Sequence, residues 1–182
     1  MVLEPLESRH ADGVRAAAAD EQIWRFMVTT DVERWLADAF AEQQSGARIQ
    51  FAVLRDGAVV GSTSYMSLAP EHLRLEIGST WMSPSTWGSG ANVEAKFLLL
   101  RHAFEVLGCR RVEFKTEARN ERARAALAAL PAQFEGIHRK HMLVRGGERR
   151  DSAWYAVVDD EWPEVKATLE SRLRKARGRA VR

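Results

Sequence analysis

The residues with the clearest chemical meaning lie in Ser83-Pro84-Ser85-Thr86-Trp87-Gly88-Ser89-Gly90-Ala91-Asn92-Val93-Glu94-Ala95-Lys96, between a strand-like run from Leu73 to Met82 and a strongly amphipathic helix. Glycines at 88 and 90 remove Cβ atoms where backbone N–H groups turn into a concave loop. The next helix adds its unpaired N-terminal donors and the positive end of its dipole. Such a loop suits an anion, and a pyrophosphate is its natural ligand. Three ligand classes compete for it. A mononucleotide P-loop is excluded, because no Gly-Lys-Ser/Thr follows. A dinucleotide fingerprint is met in part: Asn92 and Val93 follow where a third glycine should close helix against strand, while Glu113 or Glu117 supplies an acid about 20 residues on. The third is coenzyme A.

The Pro-x-x-Trp-Gly-x-Gly turn resembles the acyl-CoA loop of the GNAT superfamily, the general amine N-acetyltransferases. More of the chain agrees: Arg111-Val112-Glu113-Phe114-Lys115-Thr116 reads as a strand, and Asn120 to Leu127 looks like the superfamily's helix after its fifth strand. Leu75-Glu76-Ile77-Gly78-Ser79-Thr80-Trp81 resembles the Glu-Ile-Gly strand of the RimJ/RimL-like branch, which acetylates ribosomal-protein N-termini. The likeness runs from about Leu3 to Val158. It implies acetyl-CoA as cosubstrate, no metal, and direct attack of a primary amine, on a peptide N-terminus or a small molecule, upon the acetyl thioester. It also implies that backbone amides near Trp81 and Met82 serve the oxyanion and pantetheine, and that Trp87, Gly88, Ser89, Gly90, Ala91, Asn92 and Val93 hold the pyrophosphate. Asn120 resembles the residue that contacts the pantetheine arm, and Arg122 or Arg124 is placed to reach a CoA phosphate.

Direct attack needs a route for the amine's proton, donors for the oxyanion and an acid for the departing thiolate. Glu76, a carboxylate between Leu75 and Ile77, is expensive to bury without purpose or partner and is the candidate base. The other reading is a hydrogen-bonded structural glutamate. Strand alternation puts Glu76 on one face with Gly78, Thr80 and Met82. The acid is where the sequence departs from its relatives: Leu127 stands where many members carry a tyrosine, Ala123 where the ribosomal-protein branch often has a serine, and Pro131 near a usual glycine. The remaining donors, Tyr155, Tyr65, His138 and His141, occupy no motif position. A silent acyl-CoA-binding module is therefore the alternative reading.

The elements that must position these groups can be read in order. Val2 to Leu6 forms a first strand, His10 to Asp20 a helix, Asp20 to Met27 another turn or two, and Thr30 or Asp31 caps a helix ending near Gly46. Ile49 to Leu54 and Ala58 to Ser67 make a hairpin around Asp56-Gly57. Val93, Phe97, Leu100, Phe104 and Leu107 form the buried stripe of the helix after the glycine loop, which stops at Gly108. Ala132 to Val144 and Ser152 to Val158 make a long hairpin around Gly146-Gly147, and Trp162-Pro163 opens a last helix with Val165, Leu169 and Leu173 on one side. The expected fold class is α+β: a GNAT-type mixed, mostly antiparallel central sheet with helices on both faces.

The 182 residues fit one acyltransferase domain, 1–170, followed by a basic tail, 171–182. The net charge of +2 belongs to that tail: without Arg172, Arg174, Lys175, Arg177, Arg179 and Arg182 the body carries 21 basic and 25 acidic residues, or −4. With no interleaved aromatics, the tail reads as a solvated end rather than a nucleic-acid platform, removable without loss of cofactor binding. Acidic residues lining the cleft would point to a cationic acceptor. The lone Cys109 fits a reducing compartment, and no apolar run or basic leader indicates a membrane span or secretion, so a cytoplasmic protein, compatible with a homodimer, is expected.

Acetyl-CoA at ~100 times its dissociation constant should stabilise the protein by about 2.7 kcal/mol in a thermal-shift measurement. NAD at equal concentration should shift nothing; equal stabilisation by NAD would restore the dinucleotide reading.

Overall fold

The structure, a computed structural model, describes residues 1–180, with side chains through Ala176. Seven strands form one sheet in the order β1-β2-β3-β4-β5-β7-β6. They are β1 Val2–Pro5, β2 Arg48–Arg55, β3 Ala58–Ala69, β4 Arg74–Met82, β5 Arg111–Glu117, β6 Gln133–Val144 and β7 Glu148–Val158. Every neighbouring pair is antiparallel except β4 and β5. The helices are α1 Ala11–Ala17, α2 Val32–Gln44, α3 Ala91–Glu105, α4 Glu121–Ala128 and α5 Trp162–Ala180. The mostly antiparallel α+β architecture expected from the sequence is thus present. Among the described residues no helix is long and apolar enough to cross a membrane.

Local chemistry sets several boundaries. Asp31 caps α2 by accepting from the Arg34 amide at 2.9 Å, and Asn120 caps α4 by accepting from the Ala123 amide at 3.0 Å. Two cores result. On one face Leu6, Val14, Trp24, Trp35, Leu36 and Trp81 pack under α1 and α2. On the other, Leu75, Ile77, Leu100, Val112, Phe114 and Tyr155 meet α3 and α5.

Three expectations require correction. Strand alternation fails in β4, where Ser79 adopts φ 47° and the register with β3 shifts. This bulge reverses the side chains beyond it: Trp81 joins the α1/α2 core, whereas Thr80 and Met82 face α3. Thr80 and Met82 therefore lie opposite Glu76, not beside it. The stripe of α3 also ends sooner than expected, since Leu107 lies past the helix end and is exposed.

The third correction concerns the tail. Residues 171–180 continue α5 without a break, and the apolar series Val165, Leu169 and Leu173 is buried. A Cβ added at Gly90 would lie 3.3 Å from Ala176 Cβ, so α5 reaches the glycine loop instead of fraying into solvent. The side chains of Arg177, Arg179 and Arg182 lie outside the described residues. Leu169, with no exposed surface, anchors this helix. Leu169→Ala should lower unfolding free energy by about 2–5 kcal/mol in urea titration, with an unchanged denaturant slope.

Candidate active site

Between β4 and β5, pairing runs only from Arg74–Arg111 to Glu76–Glu113. Beyond these, β4 remains paired to β3 as far as Met82 and β5 to β7 as far as Glu117, but not to each other. The strands splay, and a cavity of about 870 Å³ opens from this gap. Its floor and walls include Glu76, Thr80, Trp81, Met82, Lys96 and Phe114.

The glycine loop closes one end. Gly88 and Gly90 take φ 75° and 86°, and a Cβ at Gly88 would have no atom within 4 Å, so the backbone there faces open space. The amides of Gly88, Gly90, Asn92 and Val93 have no acceptor among the described residues, and the first amide of α3 bonded to a backbone carbonyl is that of Glu94, to Gly90 O at 2.9 Å. The Asn92 Oδ1 is buried without a hydrogen-bond partner and so satisfies none of these groups. Trp87 is fixed by its indole N–H to Met82 O at 2.9 Å, and the Arg122 guanidinium stacks 3.5 Å over its ring. These features fit a pyrophosphate: vacant amides, a cradle that a Cβ would fill, and a helix N-terminus. Gly90→Val would probe more than the ligand, since it strikes α5 as well.

Of the candidates read from sequence, Glu76, Trp81, Met82, Trp87, Gly88, Gly90, Asn92, Val93 and Asn120 line the cavity. Ser89 is not part of the lining; its hydroxyl donates to Thr86 O at 2.6 Å. Ala91 is buried beneath the helix start. Arg124 turns away, donating to the Tyr155 hydroxyl at 3.2 Å and to Ala118 O at 3.3 Å, and Arg122 takes the cavity position. Tyr65, Tyr155, His138 and His141, the spare proton donors, are not part of the cavity lining. Tyr65 donates to Leu99 O at 2.6 Å, with burial holding its phenol in the neutral form, and His138 and His141 stand exposed around Trp154.

Glu76 is 1% exposed, and its carboxylate accepts from Lys115 Nζ at 2.8 Å and from the Ser67 hydroxyl at 3.1 Å. The carboxylate is thus partnered, as the structural reading required, and also open to the cavity, as the catalytic reading required.

Sequence reasoning missed Lys96. It is buried on α3, donates to Thr80 Oγ1 at 2.9 Å and sits 5.4 Å from the Phe114 ring, spanning the splay from below. Burial lowers its pKa from 10.5 to about 7, against the pull of Glu76. Its three- and four-residue spacing from Val93 and Leu100 puts it on the buried stripe, which was the available signal. Arg150, buried on β7 and lining the same cavity, was also missed. Among the described residues no cluster of His, Cys, Asp or Glu could hold a metal.

The profile of the "Acetyltransferase (GNAT) domain" family matches residues 1–132. A protein from T. thermophilus described as a candidate acetyltransferase is 42% identical, with TM-score 0.86 over 94% of this chain and 92% of that one. A GCN5-related N-acetyltransferase from Brucella melitensis is 33% identical, with TM-score 0.86 over 93% of this chain and 80% of its own. Mycobacterium smegmatis RimJ, solved with CoA-disulfide, shares 24% identity and TM-score 0.78 over 94% of this chain and 88% of its own, a likeness of fold alone. No functionally curated protein matches the sequence.

The lysine makes a prediction with a definite sign. The unfolded chain holds this proton to about pH 10.5, while the folded chain releases it near 7. Between those values the unfolded state binds more protons, so stability rises with pH across the window. Lys96→Met lacks that dependence. Relative to the variant, the native protein should gain roughly 4 kcal/mol between pH 7 and 10.5, at about 1.4 kcal/mol per pKa unit, in paired urea titrations.

Proposed function

Because the chain belongs to the acetyltransferase (GNAT) family, we propose that it transfers an acetyl group from acetyl-CoA to a primary amine by direct attack, within the cytoplasm. The observation that carries this reading is the splay of β4 from β5, with the vacant amides of the glycine loop at one end and the Glu76 carboxylate at the other. Acetyl-CoA, when bound, supplies an acetyl group activated as a thioester. Everything else is the work of this chain's residues.

The loop amides and the α3 dipole hold the pyrophosphate, with Arg122, Arg172 and Lys175 adding positive charge along the cavity rim. Asn120 spends its Oδ1 on capping α4, which leaves its amide N–H groups for the pantetheine arm. The β4 edge at Trp81 and Met82, freed from β5, offers backbone groups to the same arm and to the acyl oxygen. Phe26, Met27 and Trp35 give the acceptor side an apolar wall that excludes water. Glu76, oriented by Lys115 and Ser67, receives the amine's proton, directly or through one water.

The RimJ/RimL-like strand Glu76-Ile77-Gly78 does not fix the acceptor, and peptide N-termini and small amines, amino acids included, fit the same chemistry. One observation keeps a second reading in play. Leu127 and Ala123 line the cavity where relatives carry a tyrosine or a serine, so a module that binds acyl-CoA without turning it over lacks only the acceptor step. Release of free thiol from acetyl-CoA with any amine in a panel of peptides and small amines excludes that module.

Glu76→Gln should lower kcat/KM roughly 10²-fold or more at pH 7, with partial recovery at high pH, where the amine has already lost its proton. Acetyl-CoA affinity by calorimetry should hold within about threefold. Full activity at neutral pH would remove Glu76 from the mechanism and leave amine positioning as the main device.

A further inference from the structure

The charges that line the cavity do not balance. Its acids are Asp38, Glu42 and Glu76, and each already has a cation: Arg34, Arg48 and Lys115 respectively. Acidic lining groups are therefore present, but none is left over for a cationic acceptor. The cations that line it are more numerous: Arg48, Lys96, Lys115, Arg122, Arg150, Arg172 and Lys175. Arg122, Arg172 and Lys175 belong to α4 and α5, on the coenzyme side. Arg150 belongs to β7, across the sheet from them.

Arg150 is 5% exposed, and its Nε is fully buried without a hydrogen-bond partner. Among the described residues its guanidinium forms no ion pair within 4 Å; the carboxylates nearest in charge are Glu117 and Glu76. Both are taken, Glu117 by Arg119 and Arg145, and Glu76 by Lys115. Glu148 answers Arg119 and Arg145 in turn. That local network closes on itself and leaves Arg150 as its excess cation. An isolated buried guanidinium costs several kcal/mol, and burial already weakens its hold on its proton.

The other unpaired buried atoms share this polarity on the acceptor side. Arg48 and Trp81 line the cavity too, and Arg48 Nε and Trp81 Nε1 are buried beneath its surface without acceptors. All three are N–H donors, so the missing partner brings oxygen acceptors and a negative charge. Arg150 and Glu76 line one cavity, within range of each other's charge, so one molecule in that cavity can address both.

We propose that Arg150 binds a carboxylate of the acceptor, and that the acceptor is a small amine that also bears a carboxylate, the class of free amino acids. This rests on the acetyl-transfer reading above and narrows its acceptor. The amine lies at Glu76 and the carboxylate at Arg150, whose planar fork matches it in two hydrogen bonds.

The test pairs leucine, phenylalanine and methionine with their α-carboxamides in an acetyl-CoA turnover assay, beside calorimetric titration of the same compounds into enzyme saturated with CoA. Native enzyme should prefer each acid, and the acid-to-amide ratio of kcat/KM should fall roughly 10²-fold in Arg150→Met, with partial return in Arg150→Lys. Comparing that ratio between proteins cancels the differing basicity of the amines. Calorimetric affinity for the acids should fall in parallel. The unliganded Arg150→Met protein should melt at or above the native temperature, because it loses an unpaired buried charge. An acid-to-amide ratio that is the same in native enzyme and Arg150→Met overturns the proposal. So does a lower melting temperature with unchanged ratio, which would mark Arg150 as structural. If no amine is acetylated, the transfer reading fails, and the calorimetric arm alone still decides whether Arg150 holds a carboxylate.

Discussion

Parallel pairing between β4 and β5 ends after Glu76 and Glu113, and the function proposed for this chain depends on that ending. Two central strands each keep one satisfied edge, with β3 or β7, and expose the other. Unpaired backbone groups in a protein interior are costly. Here they face a cavity in which a pantetheine arm, itself an amide chain, can take the place of the missing strand. The glycine loop follows β4 directly, so the same divergence that frees the strand edge aims the vacant amides of α3 into the gap.

Charge placement follows from the same opening. Groups that border the cavity lose water without gaining full protein packing, and each solves the problem differently. Glu76 takes Lys115 as a partner. Lys96, hydrogen-bonded to Thr80 and set against an aromatic face, is pushed toward neutrality by burial despite the pull of Glu76. Arg150 can do neither, since a guanidinium stays charged in proteins. It is the group most in need of a ligand.

Much of this was legible in the residue order. Asp31, one of two capping candidates, announced its helix because a cap acts within one turn, and the glycine loop announced itself because positive φ is a local demand. The apolar spacing of Val165, Leu169 and Leu173 placed α5 as far as Leu173, and those three side chains are indeed buried. Other features depend on partners distant in sequence. The bulge at Ser79 exists because β3 and β4 differ by one residue in register, and nothing in a serine signals it. Arg150 becomes unusual only when pairing leaves it past the end of β5, with Glu117 already taken. The predicted alternation of β4 failed for this reason, and so did the frayed reading of residues 171–176: both treated a segment by its own pattern, and tertiary contacts decided.

The Ser79 bulge also divides one strand between two masters. Upstream of it, Ile77 serves the α3 core and Glu76 the opposite face; downstream, Thr80 turns to α3 while Trp81 joins the aromatic cluster of Trp24 and Trp35. Adjacent codons thus report to different walls of the cleft. A replacement at position 81 reshapes the wall toward the acceptor, and one at position 80 touches the lysine under the coenzyme arm. Under the proposed acetyl transfer, single steps on this strand change the acceptor wall without disturbing how the donor is held.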